Sequence, residues 1–239
     1  SLLPYFIKAE NNKTFTESEL HGVYGPLHVQ DLSQPSPVNQ LFLNACEQQG
    51  VPHNGDINAG QQVGARLSQV TQYQGERCSA AKAYITPHLN RKNLTVLSKV
   101  HVNKVLFCDK TATGVSVSIN NKAIVLHAKK EVVLSAGAIN SPQILMLSGV
   151  GPKEQLKQHN IEIVNELSGV GENLHDHLTV VPLYKAKYSK GTFGISAGGA
   201  FNIAKGCVDW FVKREGQLTS NFAESHAFIK LFSDSKVPD

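Results

Sequence analysis

Apolar residues at Val38, Leu41, Phe42 and Ala45 recur at helical spacing between Ser36-Pro37 and Gly50. A serine can accept a first-turn N–H, a proline suits the first helical position, and a glycine ends helices readily. The pattern predicts one helix with Ser36 as N-cap and those four apolar residues as its buried stripe. Leu2 to Glu10 is short, apolar and partly helical in pattern. His21-Gly22-Val23-Tyr24-Gly25-Pro26 reads as a turn, followed by a strand at Leu27-His28-Val29. From Val51 to Gln74, Gly, Asn and Gln dominate without periodicity, so a long loop is expected there. A second helix is expected from Ser79 to Tyr84, extending toward Leu89.

Alternation and β-branched content then predict four strands: Leu94–Ser98, His101–Phe107, Ala112–Ile119 and Lys122–Ala128. Asn120-Asn121 is placed to turn the last two into a hairpin, because Asn tolerates positive φ. Val132-Val133-Leu134 is continuously apolar, as in a strand of a parallel sheet covered on both faces. Ser135-Ala136-Gly137-Ala138 is small enough for backbone or a ligand to approach closely. Ser141-Pro142 is expected to cap a short helix, Gln143 to Leu147, stopping at Ser148-Gly149. Pro152 opens another, Lys153 to Gln158, leading into a strand at Ile161–Val164. Leu178–Leu183 is strand-like, Gly191–Gly199 a Gly-rich bend, Ala200–Arg214 helical, and His226–Leu231 a last strand.

Composition alters this picture little. The chain has 239 residues, 41% hydrophobic and 18% charged, so a large core is affordable and no apolar run reaches membrane-spanning length. The net charge of +4 comes from scattered basic residues, and the densest pair, Lys129-Lys130, is followed by Glu131. Neither a nucleic acid nor a membrane is an expected partner. Cys46, Cys78, Cys108 and Cys207 are too far apart for a zinc knuckle or a redox pair, and the spacing leaves disulfides open. Sequons at Asn12-Lys13-Thr14 and Asn93-Leu94-Thr95 tilt the expectation toward a secreted protein. The start Ser1-Leu2-Leu3-Pro4 has no initiator Met, and an internal fragment is expected.

A strand ending in small residues and opening onto a helix is where open α/β sheets bind ligands, and the helix N-terminus favours an anion. Tight strand–helix packing explains Ala136 and Gly137 equally well. His175-Asp176-His177 could place two imidazoles on one strand face, but no third ligand sits at a recognisable spacing, which leaves a hydrogen-bonded structural role. No nucleophile elbow surrounds Ser68, Ser79 or Ser141.

The run from Ser135 through Ile139-Asn140-Ser141-Pro142 to Ser148-Gly149-Val150-Gly151-Pro152 resembles the second signature of the glucose–methanol–choline (GMC) oxidoreductases. Gly169-Val170-Gly171-Glu172-Asn173-Leu174-His175-Asp176-His177 resembles that family's downstream motif. Gly75-Glu76-Arg77-Cys78-Ser79-Ala80-Ala81-Lys82-Ala83-Tyr84, then Arg91-Lys92-Asn93-Leu94, resembles its upstream one. His21-Gly22, Gly25-Pro26 and Pro238-Asp239 are similar to insect members such as glucose dehydrogenase and ecdysone oxidase. The matches follow the family's order along nearly the whole chain.

The resemblance implies an α/β protein. Residues 75–171 would form the second half of a Rossmann-like FAD-binding domain with a β-meander. Residues 1–74 and 172–239 would belong to an antiparallel-sheet substrate domain. It implies FAD as cofactor, a small-molecule alcohol (a sugar or sterol) as substrate, and oxygen or a quinone as electron acceptor. Val102 matches the position whose main chain meets the adenine; Ala136 and Gly137 match the loop beside the dinucleotide. Asn173, Asp176 and His177 match polar positions near the flavin-binding region. No Gly-x-Gly-x-x-Gly occurs, and no histidine here matches the family's catalytic base. The pyrophosphate turn is therefore expected before this segment and the base beyond Asp239. The segment alone is expected to be inactive and prone to aggregate. A truncated, non-catalytic relative serving as a binding module or remnant is the alternative.

Overall fold

The structure is a computed structural model that describes residues 1–182, 184, 197–232 and 238. Its chain divides into two compact units, one of Ser1–Leu94 with Tyr184–Asp239 and one of Thr95–Leu183. It is a mixed α/β structure built from small sheets.

The first unit opens with helix α1 (Leu3–Ala9) running into β1 (Glu10–Asn12), which pairs in parallel with β2 (Leu27–Asp31). Between them the expected His21–Pro26 turn threads close to α1. A Cβ on Gly22 would lie 1.8 Å from the Ile7 carbonyl oxygen, and one on Gly25 would lie 2.3 Å from Ala9 backbone. Only glycine permits that approach. Asn12, the last residue of β1, is fully buried, and its N–H donates to the Gly22 carbonyl of this turn. Its Oδ1 accepts the N–H groups of Thr14 (2.9 Å) and Phe15 (3.0 Å), while Nδ2 donates to Glu10 and Gln69. The Asn12 sequon is thus spent on structure, whereas Asn93 is exposed.

Helix α2 (Val38–Gln48) forms where the pattern places it and stops at Gly50, whose φ is +79°. Pro37 rather than Ser36 is its flanking residue. Its apolar stripe, however, faces out: Leu41 is 67% exposed, and Val38, Phe42 and Ala45 are exposed as well. Asn39, Leu43 and Cys46 face inward instead. The buried Glu224 carboxylate explains the rotation, because it needs donors. It receives the Ser36 N–H at 2.7 Å and the Asn39 amide, and Asn39 Oδ1 accepts from Ser225.

The expected loop at 51–74 is only partly a loop. Within it lie β3 (Gly64–Leu67), β4 (Gln69–Val70) and β5 (Gln72–Tyr73), the last hairpinned to β6 (Glu76–Arg77) through Gln74-Gly75, both at positive φ. Pairing across sequence distance, not periodicity, makes these strands: β3 meets β12 (Ser225–Phe228), and β4 meets β2. The expected second helix is a π turn at Ala81–Ile85 followed by a 3-10 turn at Thr86–His88, since Pro87 supplies no N–H to continue an α-helix. Helix α5 (Ala197–Lys213) covers most of the expected helix near 200–214 and takes in residues 197–199 of the expected bend. Residues 191–196 of that bend lie outside the described residues.

The second unit is built on a meander of β7 (His101–Cys108), β8 (Thr111–Ile119) and β9 (Lys122–His127). Asn120 and Asn121 turn the hairpin at φ +49° and +62°. Helix α3 (Gly137–Leu147) follows, then β10 (Val150–Gly151), α4 (Lys153–Gln158) and β11 (Asn165–Glu166), with β10 and β11 parallel. Leu156 of α4 and Val117 of β8 are each 1% exposed and mark the unit's core.

Several expected strands do not form. Leu94–Ser98 is irregular, Ile161–Val164 gives way to the shorter β11, and residues 178–182 are irregular, with Leu178 98% exposed. Val132-Val133-Leu134 forms no strand and is unpaired among the described residues, with Val133 73% exposed. A strand needs a neighbour to satisfy its backbone: the end of 161–164 finds one, with the Val164 N–H donating to the Gly149 carbonyl at 2.8 Å, but no strand among the described residues pairs with the other stretches.

Candidate functional site in the meander–helix unit

Each residue singled out from sequence for a cofactor lies in the second unit, and the fold brings several of their elements together. Val102 sits half-buried in β7, paired with Val117 of β8. The register slips between Val102 and Lys104, leaving Asn103 as the extra residue of a bulge. The Asn103 side chain holds that bulge through Ser118, at 3.0 and 3.1 Å.

Helix α3 packs on β7 and starts six residues earlier than Gln143. Pro142 lies inside it rather than at its cap. Ser141 Oγ accepts the Ala136 N–H at 3.0 Å, which folds the small-residue stretch into the helix entrance. Gly137 is the first helical residue, at φ +89°, and a Cβ there would meet nothing within 4 Å. Ala136 and Gly137 are both exposed. Backbone and open space therefore coincide at a helix N-terminus, so these residues fit a negatively charged group such as a dinucleotide phosphate.

Gly171 (φ +83°) lies over the same helix, 3.6 Å from Met146 Cε and 4.0 Å from Pro142 Cβ when given a Cβ. The start of the downstream motif thus packs on the helix of the signature. Beyond it, Asn173 (φ +55°), Asp176 and His177 are exposed, and Asp176 Oδ1 accepts the His177 N–H at 2.8 Å. Among the described residues, no hydrogen bond gathers them around Gly137.

Sequence reading gave Ser148 no separate role. It is 7% exposed, accepts the Val105 N–H at 2.8 Å and donates to the Ile144 carbonyl at 2.5 Å. The available signal was a hydroxyl at a helix end directly before Gly149, which takes φ +84°.

The shifted titrations belong to the first unit. Burial, then Lys13, lowers His28; burial, then Arg66, lowers His226; the hydrogen bond and charge of Lys82 lower Glu76. A cleft of about 620 Å³ in that unit is lined by Phe15, Asp31, Glu47, His53 and Arg66. Its buried cation is already engaged: Arg66 donates to Leu67 and Gly55 carbonyls and to Asp31, and lies over the Phe15 ring.

Residues 1–179 match the family described as GMC oxidoreductase. The chain belongs to the GMC oxidoreductases. These are FAD-binding flavoproteins, and FAD is the cofactor of this GMC segment. It is 40% identical over 236 residues to an alcohol dehydrogenase [acceptor] of Pseudomonas putida, covering 98% of this chain and 43% of that protein. It is 34% identical over 238 residues to an oxygen-dependent choline dehydrogenase of Brucella ovis, covering 100% of this chain and 43% of that one. Among solved structures, an FAD-dependent oxidoreductase from Chaetomium thermophilum superposes with TM-score 0.80 at 24% identity, over 96% of this chain and 42% of that chain. Pyridoxine 4-oxidase from Mesorbium loti superposes with TM-score 0.64 at 29% identity, over 70% of this chain and 33% of that chain. The GMC chain described here thus spans less than half the length of the curated relatives it matches.

Proposed function

We propose that this chain supplies the adenine-side portion of the FAD site in an enzyme that oxidises a primary or secondary alcohol. The observation that carries this reading is Gly137: a left-handed glycine opening α3, with free space above it, on a helix packed against the Val102 strand. In this reading the Val102 main chain meets the adenine and Ala136-Gly137 lie beside the dinucleotide. Asn173, Asp176 and His177 lie near the flavin. Residues 75–171 serve the FAD domain, and 1–74 with 172–239 serve the substrate domain. When bound, the flavin accepts a hydride from the alcohol carbon.

The names of the relatives, alcohol dehydrogenase [acceptor] and oxygen-dependent choline dehydrogenase, support an alcohol as substrate. A sugar or sterol alcohol, with oxygen or a quinone as acceptor, rests on the resemblance of His21-Gly22, Gly25-Pro26 and Pro238-Asp239 to insect members. Secretion rests on the exposed Asn93 sequon. A free-standing binding module is disfavoured by the apolar surface such a product would present, including Val133 (73% exposed), Phe211 (74%) and Phe222 (75%).

Purified full-length protein containing this segment should show a flavin absorption spectrum that bleaches on anaerobic addition of the alcohol substrate. A full-length protein that folds yet never acquires flavin would reject the proposal.

A further inference from the structure

We infer that Ser148 is a positioning residue for FAD, setting the β7 edge against α3; this rests on the adenine-side reading above. β7 is an edge strand of the meander, with β8 on one side and α3 packed against it. An edge N–H buried without a partner is costly, and the Val105 N–H, in a residue 5% exposed, would be such a group without Ser148. Ser148 Oγ accepts it at 2.8 Å and donates its own O–H to the Ile144 carbonyl at 2.5 Å. Ile144 is 9% exposed, so all three members of the relay are shielded from water. One hydroxyl therefore ties a strand to the helix that follows it.

The tie lies between the two elements that carry the proposed contacts. Val102 is three residues from Val105 on the same strand, just before the bulge at Asn103. Gly137 begins the helix whose last turn holds Ile144 and ends at Ser148. Without the tie, β7 keeps its ladder to β8, which draws on its other edge, so the meander persists while its setting against α3 loosens. The loss should fall on the ligand that spans strand and helix entrance rather than on the fold as a whole.

The adenine half distinguishes this role from general destabilisation, because FMN lacks it. In the full-length enzyme, FAD and FMN affinities of the wild type, Ser148→Ala and Ser148→Cys are measured by flavin fluorescence. The expected result is that Ser148→Ala weakens FAD by about tenfold, the scale of one buried hydrogen-bond partner, while FMN changes little. The FAD-to-FMN preference therefore falls. Equal weakening of both flavins, or unchanged FAD affinity, overturns the inference. Should Ser148→Ala not fold, Ser148→Cys preserves volume with a weaker acceptor and decides by the same ratio. A folded wild type that binds no flavin defeats the underlying functional reading instead.

Discussion

The indole Nε1 of Trp210 donates a 2.8 Å hydrogen bond to the carbonyl oxygen of Gly75. It joins α5 to the β5–β6 hairpin across a long sequence separation. Arg214 completes the clasp, with its guanidinium 4.3 Å from the Trp210 ring centroid and 3.0 Å from Glu76 Oε1. Gly75 is doubly constrained: its φ is +69°, and a Cβ would stand 2.2 Å from the Arg214 carbonyl oxygen. Gly75→Ala should therefore cost on the order of 1–3 kcal/mol, more than Trp210→Phe, which removes one hydrogen bond worth about 1 kcal/mol. Urea unfolding of the full-length variants checks the order. A Gly75→Ala protein as stable as wild type would refute the clasp.

His226 contributes a pH dependence of predictable sign. Its Nδ1 meets Ser68 Oγ at 2.8 Å, while its Nε2 is buried without a hydrogen-bond partner among the described residues. Protonation would place a charge there beside Arg66, so burial and that guanidinium hold the imidazole below its ordinary 6.5. The unfolded chain then binds more protons than the folded one as pH falls below 6.5, and stability declines in that direction. Above 6.5 the contribution is fully present. Melting temperatures across this range should fall less steeply for His226→Gln than for wild type, and parallel curves would contradict the assignment.

Gly137 separates backbone strain from ligand contact. Nothing lies within 4 Å of a Cβ built there, so Gly137→Ala should cost the flavin-free enzyme only the left-handed conformation, about 1 kcal/mol. If the dinucleotide uses that space, FAD affinity should fall by substantially more than the apoprotein's stability. Calorimetric melts set beside flavin titration give both quantities, and an unchanged FAD affinity would move the cofactor away from this glycine.

The two sequons should behave oppositely. Asn12 is fully buried with its amide engaged on both sides, whereas Asn93 is exposed. Passed through a secretory pathway, the protein should lose a glycan-dependent gel shift on Asn93→Gln and keep it on Asn12→Gln. The reverse pattern would show that the buried turn is wrong.

Local chemistry made some elements legible. Asn120-Asn121 determined a hairpin because few side chains tolerate positive φ, and Gly50 and Gly149 determined helix ends for the same reason. The motif order determined the family, although it could not separate a ligand's need for small residues at 136–137 from a packing need. Partner-dependent features stayed hidden. The stripe of α2 has helical periodicity, but a buried carboxylate at Glu224, far along the chain, decides which face turns inward. Val132-Val133-Leu134 has the composition of a buried strand, yet a strand exists only where another backbone meets it. Ser148 looked like a helix-ending hydroxyl, and only the packing of α3 on β7 made it the partner of Val105. Helix caps and turns are settled within a few residues, while burial and strand pairing are settled by whatever arrives from elsewhere. That is why the GMC signature could be read from sequence, and why the tie between its helix and the Val102 strand required the tertiary structure.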